Sequence, residues 1–69
     1  MTNNFAYNLR ILRKSRHLNQ TQLAEMVGKS KKTVSAWENG TRQPLVEDVY
    51  VLAKYFNTDM ETLYFGEVV

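Results

Sequence analysis

The 69-residue chain has no cysteine, one proline, three glycines and one histidine. The lack of cysteine excludes disulfide bonds and thiolate metal sites, and it suits a reducing cytoplasm. No apolar run approaches the roughly 20 residues that a membrane-spanning helix needs, and the N-terminal residues lack the basic-then-apolar order of a signal peptide. We therefore predict a cytoplasmic protein with no membrane segment, folded as a single domain over residues 1–69.

The titratable residues provide no recognisable catalytic site. His17 has no cysteine, aspartate or second histidine near it in sequence, so a position in a turn is a simpler interpretation than a metal ligand or a catalytic base. The acidic residues show no catalytic pairing, and no glycine-rich loop is present that could hold phosphates. The sequence predicts no enzymatic activity, no metal site, no cofactor and no small-molecule ligand.

The charge of the chain is unevenly distributed. Residues 1–42 carry eight basic and two acidic side chains, a net charge of +6, whereas residues 43–69 carry one basic and five acidic side chains, a net charge of −4. Such polarity suits a polyanionic partner for the first part of the chain. Charge blocks also arise by chance on the surfaces of short chains, so the asymmetry gains weight only from the helix pair that lies within the basic part.

The middle of the chain predicts two short helices joined by a tight turn. The first begins near residue 20, and its apolar face is formed by Leu23, Ala24 and Val27. Asn19 and Gln22 have the spacing of a capping box at its start. Gly28 follows this helix directly, and glycine readily adopts the left-handed conformation that commonly ends a helix.

The second helix of the pair is predicted over residues 30–39. Ser30 can cap its N-terminus, and Val34 and Trp37 share one face because they are three residues apart. Three cations lie in the turn and at the start of this helix: Lys29, Lys31 and Lys32. A compact helix pair with lysines at the N-terminus of its second helix indicates a device for entering a DNA groove.

One helix is predicted before this pair and two after it. The first covers about residues 4–16, with Asn3 or Asn4 as its cap, and its core stripe consists of Phe5, Leu9 and Leu12. His17 follows it in a turn, where histidine tolerates positive φ better than most residues do.

The fourth helix covers about residues 45–56, and Pro44 suits the first turn of a helix. Its apolar arc consists of Val46, Val49, Leu52, Ala53 and Phe56. Asn57 can end it in the left-handed conformation, Asp59 can cap a short fifth helix, and Gly66 ends that helix. The predicted fold is an all-α, compact five-helix bundle.

Helical geometry places two opposite charges on core-facing arcs. At about 100° per residue, Glu38 falls on the side of its helix that carries Trp37, and Arg13 falls on the side of the first helix that carries Leu9. Buried charges are costly when they are unpaired. We therefore predict a partly buried ion pair between Arg13 and Glu38; the alternative is that both side chains reach solvent separately.

A family resemblance runs through most of the chain. The stretch LRILRKSRHLNQTQLAEMVGKSKKTVSAWENGTRQP, continued by LAKYFNTDMETLY, resembles the helix-turn-helix domain of the phage Cro and repressor family, the XRE-like transcriptional regulators. The similarity covers about residues 9–64, with the helix-turn-helix at residues 20–39. Its specific motifs are LNQ, LAE before Gly28, WENG, Pro44 and LAK. The resemblance implies a lambda-repressor-like DNA-binding domain whose third helix lies in the major groove.

The resemblance also implies residue roles at the DNA. The side chains that would face base edges are Lys31, Lys32, Ser35 and Ala36. Gln20 would hold a phosphate and support the third helix, although it could also be an ordinary solvent-exposed residue. The backbone contacts after the third helix would come from Asn39, Thr41 and Arg42. Arg13 and Glu38 occupy positions where many family members keep an interhelical ion pair.

Three positions depart from the family pattern. Lys29 occupies a turn position that is usually apolar or threonine, so it would either add a phosphate contact or leave the turn less packed. The neighbouring Ser30 is also counted with the DNA-binding residues. His17 replaces the usual glycine. Leu45 replaces the usual serine or threonine cap of the fourth helix and has no obvious local role.

The chemistry of the lysines leaves two roles open. Lysine donates to guanine O6 and N7, so Lys31 or Lys32 would favour guanine in the site. Either lysine could instead bind a phosphate, which positions a protein without reading the sequence. Ala36 offers a methyl group that suits apolar contact with thymine.

One domain of this size buries too little surface for strong operator binding, so such domains usually bind two half-sites as dimers. Apolar residues in excess of the core lie in the C-terminal third: Leu45, Tyr50, Val51, Tyr55, Phe65, Val68 and Val69. Aromatic residues are favoured at interfaces. We predict a homodimer through these residues; the alternative is that two or three of them are partly buried in the domain's own core.

The function predicted from these features is a sequence-specific, double-stranded DNA-binding transcriptional regulator of the repressor type. A protein-interaction module of the same fold, such as an antitoxin, is the alternative. The lysine-rich third helix and the charge asymmetry favour DNA, because a protein partner would favour an acidic or apolar third helix.

Overall fold

The structure is a computed structural model that describes residues 3–69, so Met1 and Thr2 of the predicted domain lie outside the described residues. It contains five helices: α1 (Phe5–Ser15), α2 (Gln20–Val27), α3 (Lys31–Glu38), α4 (Val46–Phe56) and α5 (Met60–Tyr64). The predicted all-α, five-helix architecture is confirmed, and the described residues form no strand. None of these helices is both long and apolar enough to cross a membrane.

The hydrophobic core lies where the five helices meet. α1 packs against α3 and α5, α2 packs against α3 and α4, and α4 packs against α5. The rings of Phe5 and Trp37 meet edge to face at 6.0 Å near the α1–α3 contact. The buried apolar side chains are Phe5, Leu9, Leu23, Ala24, Val34, Trp37, Val49, Leu52, Ala53, Phe56 and Leu63. This packing holds α3 by one face and leaves its opposite face outside the core.

Local signals in the sequence set most of the helix ends. Positive φ values occur, as predicted, at His17 (58°), Gly28 (72°) and Asn57 (57°). The capping box at the start of α2 is also confirmed: Asn19 Oδ1 accepts the backbone N–H of Gln22 at 2.7 Å, and Gln22 Oε1 accepts the backbone N–H of Asn19 at 2.8 Å. These ends orient α2 and α3 as a pair.

The start of α4 differs from the prediction. Val46 was expected to face the core, but it is 74% exposed because it occupies the first helical position, on the rim of an open groove between α4 and α5. Pro44 precedes the N-cap residue Leu45 and does not lie in the first turn of the helix. Leu45 has no side-chain oxygen and makes no cap hydrogen bond, whereas Asp48 Oδ2 accepts the backbone N–H of Leu45 itself at 3.0 Å.

Asp59 caps α5, as predicted, and this gives an expected pH dependence. Its Oδ1 accepts the backbone N–H of Thr62 at 2.7 Å, and this hydrogen bond lowers the pKa of the carboxyl. A carboxyl whose pKa is lowered by folding stabilises the protein at neutral pH and loses that contribution as the pH falls through the folded-state pKa. We expect acidification to about pH 3 to lower the urea midpoint less for Asp59→Asn than for the unchanged chain, because asparagine caps without titrating. Equal decreases would contradict this role.

Candidate nucleic-acid interface

α3 has one buried face and one accessible face. Val34, Trp37 and Glu38 are buried, whereas Lys31 and Lys32 in the first turn are exposed. Six residues of α3 and the following loop line one shallow concave surface, which we call the α3 surface: Lys31, Lys32, Ser35, Ala36, Asn39 and Thr41. All six were predicted to contact DNA, and the fold brings them together.

The N-terminus of α3 is capped without using the lysines. Ser30 Oγ accepts the backbone N–H of Thr33 at 3.2 Å and lies 3.1 Å from the Thr33 hydroxyl. The cap places Lys31 and Lys32 at the first two helical positions, where the helix dipole already contributes positive potential. Cations at this end do not favour the helix, but together with the free backbone N–H groups they favour an anion.

The loop after α3 is organised by its own side chains. Gly40 has a φ of 80°, and Asn39 Oδ1 accepts the Thr41 hydroxyl at 2.7 Å and the Thr41 backbone N–H at 3.1 Å. Within residues 3–69, the Nδ2 group of Asn39 donates no hydrogen bond, so it is available as a donor. Arg42 is exposed, and its backbone N–H donates to Ala36 O at 3.3 Å, which places Arg42 directly beside the C-terminal end of α3.

A buried carboxylate fixes the core-facing side of α3. Glu38, only 3% exposed, accepts two hydrogen bonds from Arg13: Nε to Oε2 at 2.7 Å and Nη2 to Oε1 at 2.9 Å. The two side chains thus meet as the helical geometry predicts. The hydrogen bond to Glu38 raises the pKa of the Arg13 guanidinium, against the opposing effect of desolvation. Arg13 Nη1 also donates to Leu18 O at 2.8 Å, which connects the α1–α2 turn to the same network.

Gln20 joins this network at the start of α2. Its Nε2 donates to Glu38 Oε1 at 3.1 Å, so its amide supports α3 from behind. One further contact was not signalled by the sequence pattern: Arg10 Nη2 donates to the backbone carbonyl of Glu38 at 2.6 Å. Arg10 lies one helical turn before Arg13, and a cation suits the negative end of the α3 dipole. Arg10 is exposed and adds positive charge near the α3 surface.

Lys29 is placed differently from the other predicted DNA contacts. Its Nζ lies 2.9 Å from Asp48 Oδ1, and the other carboxylate oxygen of Asp48 accepts the Leu45 backbone N–H. Lys29 therefore connects the turn before α3 to the first turn of α4 and is not among the residues of the α3 surface. This partner neutralises part of the charge that was expected to reach a phosphate.

The residues predicted for a dimer surface divide into two groups. Five of them are exposed: Leu45, Tyr50, Val51, Phe65 and Val69. Tyr55 and Val68 are half-buried. The Tyr55 ring packs edge to face on Phe56, with 5.0 Å between centroids, and the Arg16 guanidinium lies 5.7 Å from its centroid. Tyr55 is therefore partly used by the domain's own core.

Comparisons with known proteins agree on one family. A family model described as helix-turn-helix matches residues 9–63. The chain is 39% identical over 59 residues to the cryptic phage CTXphi transcriptional repressor RstR of Vibrio cholerae. This match covers 86% of this chain and 53% of RstR. The chain is also 35% identical over 63 residues to the HTH-type transcriptional activator BcrR of Enterococcus faecalis, and this second match covers 91% of this chain and 31% of BcrR. The chain thus spans about half the length of RstR and less of BcrR.

A solved structure resembles nearly the whole fold. The P22 c2 repressor, crystallised in complex with a synthetic operator, superposes with a TM-score of 0.85 at 28% sequence identity, and the match covers 91% of this chain and 96% of that chain. The similarity therefore extends over nearly the whole of this chain.

Proposed function

We propose that this chain, which belongs to the helix-turn-helix family, is a sequence-specific, double-stranded DNA-binding transcriptional regulator of the repressor type that acts in the cytoplasm. The observation that carries the proposal is the α3 surface, where six residues with suitable chemistry line one accessible concavity beside a helix N-terminus. The relatives named above are a repressor, an activator and an operator-bound repressor, and they support a regulatory role.

The dimensions of α3 suit the major groove of DNA. An α-helix with its side chains is about 10–12 Å in diameter, and the major groove, about 12 Å wide, admits it. Ser35 and Ala36, in the middle of the helix, have small side chains that allow close approach to base edges, where Ala36 can contact a thymine methyl group. Lys31 and Lys32 lie at the leading end and can reach a guanine or a phosphate.

The charges around α3 favour a polyanion. The only acidic side chain of α3, Glu38, is buried and paired with Arg13, so no carboxylate of this helix opposes DNA. Arg10 and Arg42 lie near the C-terminal end of α3 and add positive charge beyond the two lysines. These four cations would neutralise phosphates on both sides of the inserted helix.

We further propose that the chain binds DNA as a homodimer. Two-fold symmetric proteins of this kind contact half-sites about 34 Å apart, one turn of the duplex. The apolar side chains that α4, α5 and the tail leave exposed, among them Tyr50 and Phe65, support this proposal, because exposed apolar patches mark protein–protein interaction sites. The dimer would double the number of base and phosphate contacts.

Fluorescence anisotropy with a random duplex, measured across a salt series, tests DNA binding. We expect weak binding whose log affinity falls linearly with log salt, with a slope of roughly −3 to −4 per protomer if four cations each release counterions. Selection of bound sequences from a random pool would then identify the operator. No binding at low salt would overturn the proposal and would favour a protein partner for this fold.

A further inference from the structure

The backbone turns sharply at the end of α3 and brings Thr41 back onto the helix. Gly40 has a φ of 80°, and its N–H donates to Trp37 O at 3.3 Å. The N–H of Thr41 donates to Ala36 O at 3.0 Å. These two bonds are those of a Schellman motif, in which a residue with left-handed backbone follows the end of the helix. The motif sets Thr41 beside Asn39, the C-cap residue of α3.

Thr41 fixes the direction in which the Asn39 amide faces. Asn39 Oδ1 accepts the Thr41 hydroxyl at 2.7 Å and the Thr41 backbone N–H at 3.1 Å. A backbone N–H can only donate, so the amide atom that faces it must be the oxygen. Both lone pairs of Oδ1 are used by these two bonds, and the Nδ2 group is turned away from Thr41 with its two N–H donors.

The Thr41 hydroxyl is itself occupied. A hydroxyl has one hydrogen, and its nearest acceptor is Asn39 Oδ1 at 2.7 Å, whereas Ala36 O lies at 3.4 Å. The hydroxyl oxygen can still accept a hydrogen bond, but a DNA phosphate offers only acceptor oxygens. Thr41 therefore has no hydroxyl hydrogen left for the backbone contact that the family resemblance implies.

Asn39 lies where a hydrogen-bond donor would meet the DNA backbone. Like Thr41, it belongs to the α3 surface, at the end of α3 opposite to the two lysines. A helix that enters the major groove contacts base edges with its N-terminal residues, which leaves its C-terminal end closer to the sugar-phosphate backbone. The exposed Arg42 lies next to Asn39 in the same loop, and Arg10 donates to Glu38 O at 2.6 Å. Two cations thus accompany the Nδ2 donors.

We propose that Thr41 is a positioning residue, which makes Asn39 a pure hydrogen-bond donor toward an oxygen of a DNA phosphate. The inference rests on the proposed DNA-binding function. Asparagine reads adenine by donating to N7 and accepting from the N6 amino group at the same time, and Asn39 has no lone pair left for this pairing. Asn39 therefore contributes affinity for any duplex and no preference for adenine.

Fluorescence anisotropy on the selected operator and on a random duplex tests the proposal, with variants that circular dichroism shows to be folded. Asn39→Ala removes the donors. Thr41→Val removes the hydroxyl but keeps the branching of the side chain, and Thr41→Ser keeps the hydroxyl. Combining Asn39→Ala with Thr41→Val shows whether Thr41 acts through Asn39. Asn57→Ala is the matched control, because Asn57 is the C-cap residue of α4 and lies outside the α3 surface.

We expect Asn39→Ala to raise the Kd about tenfold on both duplexes, because a hydrogen bond to a charged group is a strong one. The salt slope should stay unchanged, since a neutral donor releases no counterion. Thr41→Val should raise the Kd about threefold, while Thr41→Ser and Asn57→Ala stay within about twofold. The combined variant should bind no more weakly than Asn39→Ala alone.

Several outcomes would overturn the proposal. If the losses of Asn39→Ala and Thr41→Val add in the combined variant, Thr41 contacts DNA itself. An unchanged Kd for either single variant means that Asn39 makes no contact or that its amide needs no positioning. A loss by Asn39→Ala that is confined to the operator assigns its donors to guanine O6 or N7 instead of a phosphate. Absence of binding by the unchanged chain overturns the proposed function itself, before any variant is compared.

Discussion

Replacing Glu38 by alanine should lower the free energy of unfolding by about 3 kcal/mol, because the change leaves the Arg13 guanidinium in a largely buried position without its partner. Gln20 loses the acceptor that connects α2 to α3 in the same step. A small domain has a total stability of only about 5 kcal/mol or slightly more, so this loss removes about half of it. Urea denaturation followed by circular dichroism measures the loss.

Glu25→Ala is the matched control for this experiment, because Glu25 is exposed on α2; exposed charges contribute about 0.5 kcal/mol or less. A double-mutant cycle with Arg13→Ala separates the pair from the remaining effects of each deletion. An unchanged urea midpoint for Glu38→Ala would mean that the buried pair contributes nothing to the stability of this domain. A coupling energy near zero would show that the two side chains act separately.

Replacing Lys31 and Lys32 together by alanine should weaken binding to the selected operator by about thirtyfold or more, since each specific base contact contributes about 1–3 kcal/mol. Both lysines lie on the α3 surface, and neither forms an ion pair with a described residue. Anisotropy titrations on the operator and on a random duplex measure the effect.

The single variants of these lysines separate two roles. A lysine that binds phosphate should weaken binding to all sequences alike and reduce the salt slope by about 0.9, whereas a lysine that reads a base should lose affinity mainly on the operator. Lys29→Ala is the control of equal charge: because Lys29 pairs with Asp48, we expect it to change the slope less than either single variant does. A Lys29→Ala effect as large as that of the double variant would contradict this assignment.

Those features of the candidate site that depend on residues close together in sequence were predictable. Ser30, Asn19 and Asp59 each accept a backbone N–H three residues away, so their roles can be inferred from spacing alone. The Arg13–Glu38 pair joins two helices, but it was predictable because helical periodicity turns both charges inward and burial makes an unpaired charge costly. The residues of the α3 surface followed from the family resemblance, and the structure brings them together in one concavity.

Other features depend on contacts that sequence spacing does not encode. Val46 belongs to the apolar pattern of α4, yet it is exposed because the neighbouring helices leave a groove open at that end. Lys29 is one of three similar lysines in sequence, and only the approach of the first turn of α4 gives it a partner in Asp48. Asn8 interrupts the apolar stripe of α1, which is a visible signal of a buried polar role, but the backbone carbonyls to which its Nδ2 donates lie 54 to 58 residues further along the chain, at the end of α5 and in the C-terminal turn that follows it.

The sequence by itself therefore determined the five helices, the side-chain caps of α2, α3 and α5, the turns, and the side of α3 that faces the core, because these depend on backbone conformation and on side-chain periodicity within a few residues. Only the tertiary structure decided which charges are neutralised, which apolar side chains remain exposed and what holds the C-terminal turn. Those outcomes depend on which helices meet and how closely, and that is settled by the packing of all five helices into one hydrophobic core.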